Sequence, residues 1–340
     1  MSKFLKESQE ILKINTIKAN KAKIALSFLS TTVPLIAGHL LNQLIPFIVA
    51  TLLGHFLFLS DSPKALPLRL RDLSLHGLVY MICLFTGILL HNHIIEFVIL
   101  FCIGVYILAI SINISKEVEM SVLLCLINLI LGFYSSFLSV EMLGQILIYN
   151  SISFIYILSV VTLLHFLKAE DINKNKTHDF QKFSSTRKEF HLYGVAFSFV
   201  TLLSFIFIES GISERPYWII ITLLVILKPE LRISFHRMIQ RTLGTILGVI
   251  ITSIFLHFIH DMRFYLCFIG LSCLLLPSSL VKNYWLGTTV ITMLVVTLLS
   301  LPTLGKGAEH LSFIRLTATL WGVAFALLGS YVYQFLKKLN

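Results

Sequence analysis

Residues 142–167 read MLGQILIYNSISFIYILSVVTLLHFL, and residues 168–191 read KAEDINKNKTHDFQKFSSTRKEFH. The first stretch holds no Asp, Glu, Lys or Arg. As a helix rising about 1.5 Å per residue, it is long enough to cross the ~30 Å hydrocarbon core of a bilayer. The second is the one polar linker between apolar runs, and it cuts the 340-residue chain in half.

Working outward from this junction, six apolar segments precede it, near 24–42, 44–60, 75–91, 94–112, 120–136 and 142–167. Six follow, near 192–209, 216–229, 239–259, 263–280, 285–302 and 314–336. The pattern predicts an all-α, polytopic integral membrane protein with about twelve transmembrane helices in two six-helix repeats. The expected layout is a cytoplasmic amphipathic leader over 1–23, a first repeat over 24–167, a cytoplasmic linker over 168–191 and a second repeat over 192–340. Composition agrees: 56% of residues are hydrophobic, 13% are charged and the mean hydropathy is +0.88. A soluble domain carries about 25% charged residues. These values exclude an ordinary globular enzyme, a disordered chain and a disulfide scaffold. Twelve spans of ~20 residues use about 240, and the remainder is too short for a separate catalytic domain.

Lys+Arg is 27 and Asp+Glu is 17, for a net charge of +10. The basic residues sit in short loops between apolar runs, which points to membrane orientation rather than nucleic acid. With the N-terminus inside, 23 cations fall on inside segments and four on outside ones, namely Arg215, Arg263, Lys306 and Arg315. The positive-inside rule therefore places both termini in the cytoplasm. The five cysteines lie in apolar runs with no Cys-x-x-Cys, and read as packing residues. The leader sets Phe4, Leu5, Ile11, Leu12, Ile14 and Ile17 among lysines. An amphipathic helix on the cytoplasmic leaflet and a solvated, partly ordered leader both fit it.

The halves match at an offset of 171. Ile24-Ala25-Leu26-Ser27-Phe28-Leu29-Ser30 faces Val195-Ala196-Phe197-Ser198-Phe199-Val200-Thr201, Thr51-Leu52-Leu53 faces Thr222-Leu223-Leu224, and Gly77 faces Gly248. A parallel 6+6 duplication is expected, as in many secondary transporters. Within the second half, Arg241-x-x-x-Thr245-x-x-Gly248 opens one span and Arg315-x-x-x-Thr319-x-x-Gly322 opens another of opposite direction. At i, i+4 and i+7 the three residues share one helical face. An inverted three-helix repeat and coincidence both account for the pair.

These residues carry a resemblance. Arg215-Pro216-Tyr217-Trp218-Ile219-Ile220-Ile221-Thr222-Leu223-Leu224, followed by Arg241-Thr242-Leu243-Gly244-Thr245-Ile246-Leu247-Gly248, is similar to the fusaric-acid-resistance-like family. That family includes bacterial aromatic acid exporters and is related to plant aluminium-activated malate transporters. The similarity is good over 215–250 and fair over 314–330, and in the first half it is an echo of the repeat. The family often has an Asp before the last-span Thr, where this chain has Ala318. The resemblance implies an exporter in the plasma membrane, the bacterial inner membrane.

Arg241 and Arg315 are the chief candidates for substrate binding. A central bilayer arginine costs roughly 2.5–3.5 kcal/mol on insertion scales, and its donor fork matches a carboxylate. The competing reading is snorkelling from span ends to headgroups. Thr245 and Thr319 either add hydroxyl donors or bond back to their own helices. Gly244, Gly248 and Gly322 read as helix-packing positions. Tyr217 and Trp218 are either an aromatic wall beside an arginine or part of the interfacial belt, as is Trp285. Glu96, near His91 and His93, is the proton-coupling candidate, with rim solvation as the alternative. No catalytic residue, metal site or cofactor is read.

The expected function is export of organic anions, aromatic or hydrophobic carboxylates, driven by an ion gradient. A passive anion channel and a non-transporting scaffold in envelope biogenesis are the alternatives. The expected partners are the lipid bilayer and a small organic anion, without nucleic acid. A homodimer and an accessory efflux subunit both stay open.

Overall fold

The computed structural model describes residues 12–16, 19–134, 140–167, 187–211, 214–259, 261–304 and 307–339. Its helices are α1 Lys21–Leu40, α2 Leu44–Ser60, α3 Leu66–Leu89, α4 Ile94–Ser111, α5 Lys116–Tyr134 and α6 Leu143–Phe166 in the first half. The second half holds α7 Arg187–Glu209, α8 Tyr217–Ile226, α9 Leu231–Phe258, α10 Met262–Lys282, α11 Tyr284–Ser300 and α12 Ala308–Leu339. No strand occurs among the described residues. Each expected apolar segment coincides with one helix, and ten helices are long and apolar enough to cross a membrane.

The ends differ from expectation where charged residues prolong a helix. α3 starts at Leu66 rather than 75 and includes Arg69 and Arg71. α9 starts at Leu231 rather than 239, and α12 runs from Ala308 rather than 314. Hydropathy marks where a helix meets hydrocarbon, whereas backbone hydrogen bonding continues past that point. α7 begins at Arg187, inside the linker expected over 168–191. Residues 168–186 lie outside the described residues, as does most of the leader. In its described part, residues 13–16 are not helical. They dock on the α10–α11 turn instead: Asn15 N–H donates to Lys282 O at 2.9 Å, and Asn283 Nδ2 donates to Lys13 O at 2.7 Å.

Two helices, α2 and α8, are short, with 17 and 10 residues. Proline bounds both. Pro46 sits in the first turn of α2 and Pro63 follows its end, while Pro216 caps α8 and Pro229 follows it. Proline lacks the N–H that would extend a helix and pushes the preceding residue out of the α region. At ~1.5 Å per residue, α8 spans only about 15 Å.

The same neighbour pairs recur in both halves. α2 packs on α1, α6 and α3, and α8 packs on α7, α12 and α9. α3 packs on α5 and α6, as α9 packs on α11 and α12. The halves meet through α4 on α7 and α10 on α1. Both seams carry the same hydrogen bond: Ser27 Oγ donates to Cys273 O at 2.8 Å, and Ser198 Oγ donates to Cys102 O at 3.0 Å. Ser198 and Cys273 each stand 171 positions after Ser27 and Cys102.

The helices are apolar on both faces, as hydrocarbon solvent allows. On α4, Phe97, Phe101 and Val105 are buried while Ile95, Ile99 and Ile103 face outward. Charges gather at loop ends. Asp61 and Arg69 form a buried bidentate pair with two 2.7 Å contacts, tying the end of α2 to α3. Lys64 joins Glu117 at 2.7 Å and Asp72 at 2.9 Å, and these carboxylates hold its ammonium pKa above the usual lysine value. Lys228, after α8, pairs with Glu119 on α5.

Candidate functional site

α9 approaches α11 closely because Gly244 and Gly248 present no side chain. A Cβ at Gly244 would lie 2.5 Å from Trp285 O, and one at Gly248 would lie 2.7 Å from Thr289 O. Gly322 does the same for α12 against α8, where a Cβ would meet Thr222 Cβ at 2.6 Å. With α9, α12 and α8 held this near, Arg241 on α9 and Arg315 on α12 come into electrostatic range of each other.

Neither arginine snorkels. Arg241 lies ten residues into α9 and Arg315 seven into α12, and they are 4% and 2% exposed. Each helix begins well before its apolar run, so both arginines stand inside their helices and are buried against protein, which argues against snorkelling. Among the described residues neither has an ion-pair partner, and Arg241 Nε, Arg315 Nε and Arg315 Nη1 are buried without a hydrogen bond. The Arg315 guanidinium stands 5.0 Å from the ring centroid of Trp218. Such a cation–π contact offsets part of the burial cost, by about 2 kcal/mol when desolvated.

Both arginines line a cavity of about 250 Å³ between the two halves, which also borders α2 and α8. Its wall is otherwise mostly Leu, Ile, Val and Met, with Tyr217, Trp218 and Tyr284 beside the arginines. Tyr217 and Trp218 are 4% and 2% exposed, so they belong to this wall and not to an interfacial belt. From the loop before α8, Arg215 Nη1 donates to Tyr217 Oη at 3.3 Å. An unpaired guanidinium pair facing an apolar chamber can hold an amphiphilic anion, with its charge at the fork and its hydrocarbon against the aliphatic wall.

Other expected residues stand elsewhere. Thr319 Oγ1 donates to Arg315 O at 2.9 Å, within its own helix. Thr245 is fully buried, its hydroxyl without a partner among the described residues, and it is not part of the cavity lining. Glu96 is in the first turn of α4, its side chain 62% exposed and 3.7 Å from His93. The structure therefore keeps it away from the cavity. The sequence reading missed Tyr80, Asn128, Asn150, Tyr284 and His55, which also line the chamber. A signal existed for the amides and the imidazole, as single polar side chains inside apolar runs. Asn128 Nδ2 donates to Leu124 O at 2.8 Å, but both amide atoms of Asn150 are buried without partners among the described residues.

The family match falls on the half that carries the arginines. Residues 192–329 match the fusaric acid resistance protein-like family. The chain is 34% identical over 136 residues to the uncharacterized protein slr1298 of Synechocystis sp., covering 38% of this chain and 17% of that one. It is 32% identical over 118 residues to the uncharacterized membrane protein YvaC of Bacillus subtilis, covering 34% of this chain and 18% of that one. Less than a fifth of either relative's length is therefore matched. No solved structure matches. The family segment contains α8, the cavity-facing part of α9 and most of α12, so the matched region includes both arginines.

Proposed function

We propose that the protein is a transporter of organic anions, aromatic or hydrophobic carboxylates, moved by an ion gradient through the chamber between its halves. The observation that carries this reading is the pair of buried guanidiniums, unpaired among the described residues, in the wall of an apolar cavity. Short helices at corresponding places of two halves, here bordering the cavity, are the usual pointer to a transporter's binding site. The family match adds an efflux role by similarity. A duplicated six-helix unit with both termini in the cytoplasm completes the proposal, supported by the recurring neighbour pairs and the paired Ser–Cys seams.

The test is benzoate flux in proteoliposomes with and without a pH gradient. Gradient-dependent flux supports the carrier reading. A gradient-independent anion current would replace it with a channel, and no flux would leave the scaffold reading.

A further inference from the structure

The first-half wall of the cavity holds a group that the anion reading leaves unused. His55 stands on α2, 7% exposed, with its Nδ1 buried and without a partner among the described residues. The helices packed on α2 bring mostly uncharged groups to this wall: Thr31 from α1, Tyr80 from α3, Asn128 from α5 and Asn150 from α6. The second half contributes Tyr217, Tyr284, Arg241 and Arg315 to the same lining. The Asp61–Arg69 pair at the end of α2 is closed by its own bidentate contact. His76 stacks on Tyr80 at 5.9 Å outside the lining, with Nε2 on Ser121 Oγ at 2.8 Å. Among the described residues the lining contains no Asp, Glu, Lys or Cys. His55 is thus its one side chain whose ordinary titration falls between about pH 5 and 8.

A third positive charge in a chamber that already holds two guanidiniums, both without an ion partner among the described residues, is disfavoured while the chamber is empty, because like charges repel through a low dielectric across the chamber. A carboxylate held at the guanidiniums reverses that balance. We infer that His55 is a proton-binding residue linked to anion occupancy, neutral in the empty chamber and protonated from water when a carboxylate sits at Arg241 and Arg315. The step forms one N–H bond on the imidazole, breaks one O–H bond of a hydronium ion from the aqueous phase and leaves water, and neither oxidises nor reduces anything. The inference rests on the anion-binding reading of the same cavity. Linkage is reciprocal, so the factor by which the anion favours protonation is the factor by which lower pH tightens anion binding.

The experiment uses the full chain in nanodiscs with benzoate as probe. Affinity is measured from pH 8 to pH 5, a range over which a carboxylate with an ordinary pKa stays mainly ionised, and proton uptake on binding is measured in weak buffer. Benzoate should bind at least about fivefold more tightly at the acid end, with proton uptake. Both effects should vanish in His55→Asn and His55→Gln and persist in His76→Asn. PH-independent binding without proton uptake in the unaltered protein overturns the inference, as does pH dependence that survives both His55 variants. The unaltered protein's own uptake measurement decides the matter if those variants do not fold. Absent benzoate binding, or binding unchanged in Arg241→Ala, instead overturns the anion reading on which the inference stands.

Discussion

Arg241 and Arg315 differ from Arg69, another deep cation, in how they are balanced. Arg69 is also buried, but Asp61 meets its fork with two 2.7 Å contacts. The cavity arginines have aromatic neighbours and, among the described residues, no carboxylate. Removing Arg241 should therefore cost the bound anion a charge-assisted pair worth about 1.5–3 kcal/mol. Apparent affinity in Arg241→Ala should fall by about 10- to 100-fold. Arg241→Lys keeps the charge and loses the planar fork, so it should recover only part of the affinity. Transport kinetics at matched membrane expression check this, and equal affinity in all three proteins would remove Arg241 from the site.

The helices gain their positions from missing side chains and from proline stops. Gly248 lets α9 lie against α11 at a distance that a single methyl group would forbid, since its Cβ would fall 2.7 Å from Thr289 O. Gly144, at the start of α6, has no atom of the described residues within 4 Å of its Cβ position. Gly248→Ala should destabilise by about 1–3 kcal/mol through overpacking. Gly144→Ala should be neutral or gain about 0.5–1 kcal/mol through lower backbone entropy of the unfolded chain. Thermal unfolding of the two variants in the same detergent reads the contrast. A Gly248→Ala midpoint at or above that of Gly144→Ala would mean that the α9–α11 contact is not tight.

For the molecule in its bilayer, the cation distribution predicts orientation. Reporter fusions after Lys174 and at the C-terminus should report cytoplasm, and fusions near Glu141 and Gly305 the outside. An outside signal from the linker would rule out the proposed 6+6 arrangement. The proposed duplication makes the fold symmetric, yet the cavity is not. Leu70 stands 171 positions before Arg241 and Gly144 before Arg315, so the cationic wall belongs to the second half. Across from it stand the first half's Asn150, Asn128 and His55.

The twelve helices among the described residues were legible in the sequence because hydrocarbon solvent imposes a length and a composition on a span. The offset-171 matches and the Arg-Thr-Gly faces were legible for a related reason: periodicity and spacing are local properties. The helix ends were not. α3, α9 and α12 continue through charged residues whose partners come from elsewhere in the chain or whose depth depends on neighbouring helices. The site was half legible. Arg241, Arg315, Tyr217 and Trp218 were marked by residue type, but spacing alone left them between a cavity wall and a membrane rim. Only packing decided that Thr245 and Thr319 stand off the chamber, that Glu96 lies on an exposed turn, and that His55 from the first half shares a cavity with both arginines of the second. Whether a polar side chain faces lipid, a neighbouring helix or a chamber depends on the rotation and approach of helices distant in sequence.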